Sequence, residues 1–156
     1  MDLDAFDQRI LDIVQSDCTR AHAAIGREVG LSGSAVRRRI QAMRAANVIA
    51  REVAILGEGA GGLTIVVTIE LERESKDVYD TLQASIRGDD HVLQCYLTTG
   101  QLDLVLIVAA CSPEDYKDWA DRKLLSNPAV RRFESHVVWS TAKFTTKRPL
   151  AKPSQK

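Results

Sequence analysis

A change of hydrophobic period partway along the chain constrains its fold more than any other feature. Up to about residue 46 the apolar side chains recur at helical spacing. From Leu63 they alternate, with Leu63, Ile65, Val67, Ile69 and Leu71 set against Thr64, Val66, Thr68, Glu70 and Glu72. Helical spacing gathers apolar residues into a stripe, whereas strict alternation puts every second side chain on one face of a strand. The chain must therefore carry a helical part followed by a part that starts with a half-buried strand. Gly57, Gly59, Gly61 and Gly62 crowd the stretch between them, and this is the one candidate linker.

Three short helices are predicted in the first part. Residues 4–16 bring Phe6, Ile10, Ile13 and Val14 to one face, with Asp7, Arg9, Asp12 and Gln15 on the other. Residues 21–29 turn Ala24, Ile25 and Val29 inward, and Gly30 supplies the left-handed stop that glycine tolerates. After a tight turn Ser32 is placed to cap a third helix running to about Ala46, buried through Val36, Ile40 and Met43. Asn47 suits its end, since Asn enters the left-handed region readily.

The second part reads as a strand at 63–71, a helix at 75–87, a strand at 92–99 and a turn at Gly100-Gln101. A strand at 104–110 follows, then a helix from Ser112-Pro113 to about Leu125 and a strand at 130–139. The unbroken apolar run of 104–110 predicts a strand covered on both faces. The order β-α-β-β-α-β is the split βαβ arrangement. The expected fold class is α+β, an N-terminal winged helix-turn-helix followed by a C-terminal ferredoxin-like βαββαβ (ACT-like) domain. The expected divisions are 1–50 for the helix-turn-helix, 51–62 for a strand and Gly-rich linker, 63–142 for the ferredoxin-like domain and 143–156 for a basic tail.

Composition adds exclusions. The formal net charge is zero, so any nucleic-acid argument must rest on where the charge lies. From Val29 to Ala50 there is no acid, while Arg37, Arg38, Arg39 and Arg44 fall inside that span; Lys143, Lys147, Arg148, Lys152 and Lys156 form a second basic stretch after the last acid, Glu134. No apolar run approaches a membrane span and the N-terminus is acidic, which predicts a cytoplasmic protein. Cys18, Cys95 and Cys111 are odd in number and far apart, so they are expected as buried small apolar residues rather than a disulfide or metal set. His22, His91 and His136 have no companion at ligand spacing, and neither a metal nor a cofactor is expected. Trp119 and Trp139 are expected in a core or an interface.

A basic helix behind a tight Gly-containing turn is what major-groove reading requires. Its first residues reach base edges, and an arginine can bond a guanine bidentately, worth about 1–3 kcal/mol of discrimination. Arg37 and Arg38 are the expected base readers, with Ser34 and Gln41 secondary. Ser32 and Gly33 open the helix, and Gly33 with Ser34 leave room for close approach of double-stranded DNA. Arg44, at the far end, is expected on phosphate. Arg39 lies beside the buried stripe, and both a DNA contact and a fold-supporting salt bridge remain open for it.

With these residues in place, the chain resembles the Lrp/AsnC (leucine-responsive and asparagine-responsive, or feast/famine) regulators. Leu3 to Leu11 is similar to the family opening LDxxDxxIL. Val29-Gly30-Leu31-Ser32 with Val36 to Ile40 resembles its turn and recognition helix, and Asn47-Val48-Ile49 stands where GxI is usual. Thr98-Thr99-Gly100-Gln101-Leu102-Asp103 resembles the xxGxxD effector hairpin. It departs from the family pattern at Thr19, Ala21, Gln101, Phe133 and Ser135. The resemblance implies a transcriptional regulator answering to a small-molecule effector, an amino acid or related metabolite, held by Thr98, Thr99, Gly100, Gln101, Leu102, Asp103 and Ser135. It also implies homodimers built through the C-terminal sheets and commonly assembled into octamers.

Asp103 has its own physical argument. A carboxylate at the edge of an apolar strand costs several kcal/mol to bury alone. Its partner is a backbone amide, a basic side chain or the ammonium of a bound amino acid. No catalytic constellation is found, and an enzyme is not expected. Decarboxylases of modified tetrapyrroles share the two-domain architecture, but they keep a His-Tyr-x-Arg segment that this sequence lacks. A sensor domain that has lost DNA binding is the other alternative.

Overall fold

The computed structural model describes residues 1–57, 60–73 and 75–150. They gather into two units, one of Met1–Ile55 with Lys143–Lys156 and the other Leu56–Ala142. Gly59 of the Gly-rich stretch, and Lys152 and Lys156 of the basic tail, lie outside the described residues.

In the first unit α1 (Ala5–Val14) opens with a reciprocal cap, the Asp7 amide donating to the Asp4 carboxylate and the Asp4 amide to that of Asp7. α2 (His22–Val29) has no side-chain cap at Ala21, and it ends on Gly30 at φ 80°. The Gly30 and Leu31 amides both return to the Gly26 carbonyl. α3 (Gly33–Ala45) starts on Ser32, whose Oγ accepts from the Ala35 amide at 3.2 Å. It stops at Asn47, φ 55°, with the Val48 and Ile49 amides folded back on the Met43 carbonyl. The core is Ile10, Leu11, Ile25, Val29, Val36, Ile40 and Met43. Phe6, expected inward, is exposed, and its ring lies 5.6 Å from the Arg39 guanidinium.

Two differences from expectation concern the chain outside the helices. Residues 51–57 form no strand, so no wing is seen among the described residues; Val53, Ile55 and Leu56 are exposed there. The start of the tail is built into the first unit. Gln15 accepts from the Arg148 amide at 2.7 Å and donates to its carbonyl at 3.4 Å, while Leu150 packs on the core.

The second unit is a four-stranded antiparallel sheet in the order β2-β3-β1-β4, with β1 Leu63–Leu71, β2 Val92–Leu97, β3 Leu104–Ala110 and β4 Val130–Val137. α4 (Lys76–Arg87) and α5 (Pro113–Ala120), extended by a π-helical turn Asp121–Leu125, cover one face. Beneath them lie Ile65, Val67, Ile69 and Leu71 of β1 and Leu104, Leu106, Val108 and Ala110 of β3, with Leu82, Trp119 and Leu124 from the helical side. The other face carries the alternate residues, so Val105, Ile107 and Ala109 are only half-buried. Two-sided cover of β3 is thus not provided by the described residues.

The cysteines correct the composition argument. Cys18 and Cys111 are exposed and Cys95 is half-buried, because the first two lie in turns and the third on an edge strand. Trp119 is core, its Nε1 donating to Asp89 at 3.1 Å. Trp139 is 94% exposed and belongs to no core among the described residues.

Candidate functional site

The turn between α2 and α3 depends on glycine at a position that periodicity does not single out. A side-chain carbon on Gly26 would stand 2.4 Å from the Leu31 carbonyl oxygen, a closeness no structure accepts. Gly33 also meets protein rather than open space, with Ala23 backbone atoms 3.1 Å from where its Cβ would be. The expectation that Gly33 leaves room for DNA gives way to a packing role, because α2 and α3 cross there. A lone glycine inside an apolar helical pattern was the available signal for Gly26.

With α2 and α3 so locked, α3 presents Ser34, Arg37, Arg38, Gln41 and Arg44 outward. Ser34 Oγ is 3.0 Å from Ser32 Oγ. Arg37 and Arg38 form no ion pair among the described residues, whereas Arg44 holds Glu52 through both carboxylate oxygens at 2.6 and 2.7 Å. Arg39 turns the other way. Its Nη1 lies 2.8 Å from Asp4 and 2.8 Å from Asp7, whose side chain is buried. Those two carboxylates, Asp7 foremost, raise the Arg39 pKa above its ordinary value. Of the two readings open for Arg39, the salt bridge is the one this geometry contains.

In the second unit β2 and β3 are joined by a loop of residues 98–103 rather than a two-residue turn. The Thr98 amide donates to the Asp103 carbonyl at 3.0 Å and Thr98 Oγ1 to the Leu102 carbonyl at 2.6 Å. Gly100, at φ 116°, takes a conformation that other residues avoid. Asp103 finds its partners inside the protein. Oδ2 accepts from the Leu71 amide at 2.7 Å and Oδ1 from the Tyr79 hydroxyl at 2.9 Å. Its carboxylate therefore latches the loop to β1 and α4.

Gln101 and Leu102 reach an open pocket of about 380 Å³ on the sheet's uncovered face, together with Thr68, Glu70, Arg132, Phe133, Glu134 and His136. Glu70 pairs with Arg131, Arg132 lies 2.5 Å from Glu134, and His136 Nε2 lies 3.7 Å from Glu134. Thr98, Thr99 and Gly100 belong to the loop but do not line this pocket. Ser135 is not brought to it either. Strand alternation turns Ser135 to the helix side, where its Oγ is 2.5 Å from the Tyr116 hydroxyl. The polar alternation of Arg132, Glu134 and His136 along β4 was the signal that would have found the pocket wall.

A helix-turn-helix with a basic outward face, joined to a βαββαβ domain with a polar pocket, defines a two-domain DNA-binding regulator with a ligand-binding module. Comparison with known proteins gives the family. The family model described as the AsnC-type helix-turn-helix domain matches residues 3–44, and that of the Lrp/AsnC ligand binding domain matches 64–148. The chain belongs to the Lrp/AsnC family of transcriptional regulators. It is 34% identical to an HTH-type transcriptional regulator of Sinorhizobium fredii, over 96% of this chain and 90% of that one. It is 31% identical to the glutamate uptake regulatory protein of Zymomonas mobilis, over 99% and 94%. Among solved structures, an AsnC family regulator of Agrobacterium tumefaciens superposes with a TM-score of 0.85 at 29% identity, covering 94% of this chain and 97% of that one. A Neisseria meningitidis regulator in complex with L-methionine gives 0.85 at 27% identity, covering 94% and 96%. Among the described residues no helix is long and apolar enough to cross a membrane.

Proposed function

We propose that this regulator reads double-stranded DNA through Arg37 and Arg38 and changes its affinity when an amino acid or related metabolite occupies the pocket beside Gln101 and Leu102. The observation that carries the reading is the contrast along α3, where Arg39 and Arg44 are engaged by carboxylates while Arg37 and Arg38 stand outward and unpaired among the described residues. Ser34 and Gln41 flank them on the same surface, and the Ser32 cap holds the first turn. The pocket offers a guanidinium for an effector carboxylate and carboxylates for its ammonium. The L-methionine bound by the Neisseria protein supports an amino acid as the class of effector.

The protein works by binding, without catalysis, in the cytoplasm and as a homodimer, with octamers as the higher assembly. The uncovered sheet face, with Val66, Val105 and Ile107 half-buried and Tyr96 exposed, supports association through the second unit. A dimer presents two α3 helices to half-sites about 34–36 Å apart. The test is a thermal-shift screen of the twenty amino acids, repeated with Arg132→Met. A stabilising hit that the substitution abolishes, and that alters DNA affinity by roughly 5- to 150-fold, is expected. A hit undiminished by the substitution would place the effector elsewhere.

A further inference from the structure

Five cations, Lys143, Lys147, Arg148, Lys152 and Lys156, stand in a stretch without an acid, and neither the recognition helix nor the pocket gives them a task. Of these, Lys143, Lys147 and Arg148 follow the second unit in sequence but group with the first. The attachment uses the backbone of Arg148, clasped at both its amide and its carbonyl by the Gln15 side chain, and the side chain of Leu150 on the core. Lys147 lies 3.4 Å from Asp12. Lys143 and the Arg148 guanidinium make no ion pair among the described residues, and both residues are exposed.

Charge balance gives this attachment a consequence. Met1–Ile55 carries eight Lys and Arg against seven Asp and Glu, a formal net of +1 that is weak for a DNA-binding unit. The described tail residues Lys143, Lys147 and Arg148 raise that unit to +4, while Leu56–Ala142 stands at −6. The tail therefore adds exposed cations to a unit whose own formal charge is nearly balanced. Its anchor at Gln15 is seven residues before His22, the first residue of α2. In helix-turn-helix docking the helix before the recognition helix crosses the sugar–phosphate backbone, and the anchor at Gln15 stands in the segment of chain that leads from α1 into that helix.

We propose that the C-terminal segment is a phosphate-contacting arm of the DNA-binding unit, with Lys143 and Arg148 meeting the duplex backbone outside the groove that α3 reads. The proposal rests on DNA binding by the helix-turn-helix. Phosphate contacts release counterions and carry no sequence information, so the arm adds affinity and salt dependence without adding specificity. The test is fluorescence anisotropy on a cognate and an unrelated duplex between roughly 50 and 200 mM salt, comparing the intact protein with Lys143→Gln/Arg148→Gln. The expected result is a log–log salt slope shallower by about 0.9 for each phosphate left unneutralised, equal weakening on both duplexes, an unchanged melting temperature, and a slope retained in Arg148→Lys. An unchanged slope overturns the arm whether or not the melting temperature falls, since a strap that only supports the fold alters stability alone. Absence of salt-dependent binding by the unaltered protein would instead sink the DNA-binding reading beneath it.

Discussion

The Arg39 guanidinium lies 2.8 Å from the buried carboxylate of Asp7, so one arginine of the recognition helix is committed to holding α1 against α3. Arg39→Ala leaves Asp7 buried without its cation, and a hydrogen bond to a charged group contributes about 1.5–3 kcal/mol. A loss near 2 kcal/mol is expected, against less than about 0.5 kcal/mol for Arg37→Ala on the outer face. Urea unfolding of the two variants checks this, and equal stabilities would show that the Arg39 pair contributes nothing.

Arg37→Ala and Arg38→Ala are expected to act on DNA rather than on stability. If each reads a base as proposed, its removal costs about 1–3 kcal/mol of discrimination, read as the affinity ratio between cognate and unrelated duplexes. Arg44→Ala frees Glu52 and is expected to weaken binding evenly across sequences. If Arg44→Ala lowers the ratio as much as Arg38→Ala, the reading surface extends further along α3 than assigned.

Asp103→Ala removes both acceptor oxygens, so the Leu71 amide and the Tyr79 hydroxyl each lose this partner. The expected cost is about 1–3 kcal/mol. Tyr79→Phe, which leaves the Leu71 bond in place, is expected at the lower end of that range. Hydrogen exchange at the Leu71 amide reads the difference directly, and unchanged protection in Asp103→Ala would mean that the carboxylate does not hold the loop.

Acid sensitivity should centre on Asp89. Burial pushes its carboxyl up, but bonds from Lys123, Trp119 and the His91 amide outweigh burial and leave its pKa below the ordinary 3.8. The folded form thus resists protonation longer than the unfolded form. The contribution is full above 3.8 and disappears as pH falls through the lower folded-state value. Asp89→Asn should therefore be less stable than the parent at neutral pH, and the gap should close as pH falls below 3.8 and through the folded-state value. A gap independent of pH would assign the loss to packing.

Much of this architecture was legible because periodicity and caps agreed. Ser32, Ser75 and Ser112 each accept from an amide at the start of the helix they precede, and the alternation of β1 fixed which side chains are buried. Pairwise proximity was not legible. Gly26 and Leu31 meet only once α2 and α3 cross, and Asp103 meets Tyr79 across 24 residues. The pocket wall on β4 escaped for a related reason: Ser135 and His136 are neighbours in sequence but point to opposite faces of the sheet, and phase along a strand is set by its partner's register.

The return of Leu150 to the core of the first unit orders the birth of the molecule. Chains fold as they leave the ribosome, N-terminal parts first. Here, however, the whole of Leu56–Ala142 is synthesised between the helices and the leucine that seals them. The DNA-binding unit of a nascent chain is therefore an unfinished one until its ligand-binding unit exists, and a prematurely terminated product carries the recognition helix without the Gln15 clasp or the Leu150 plug.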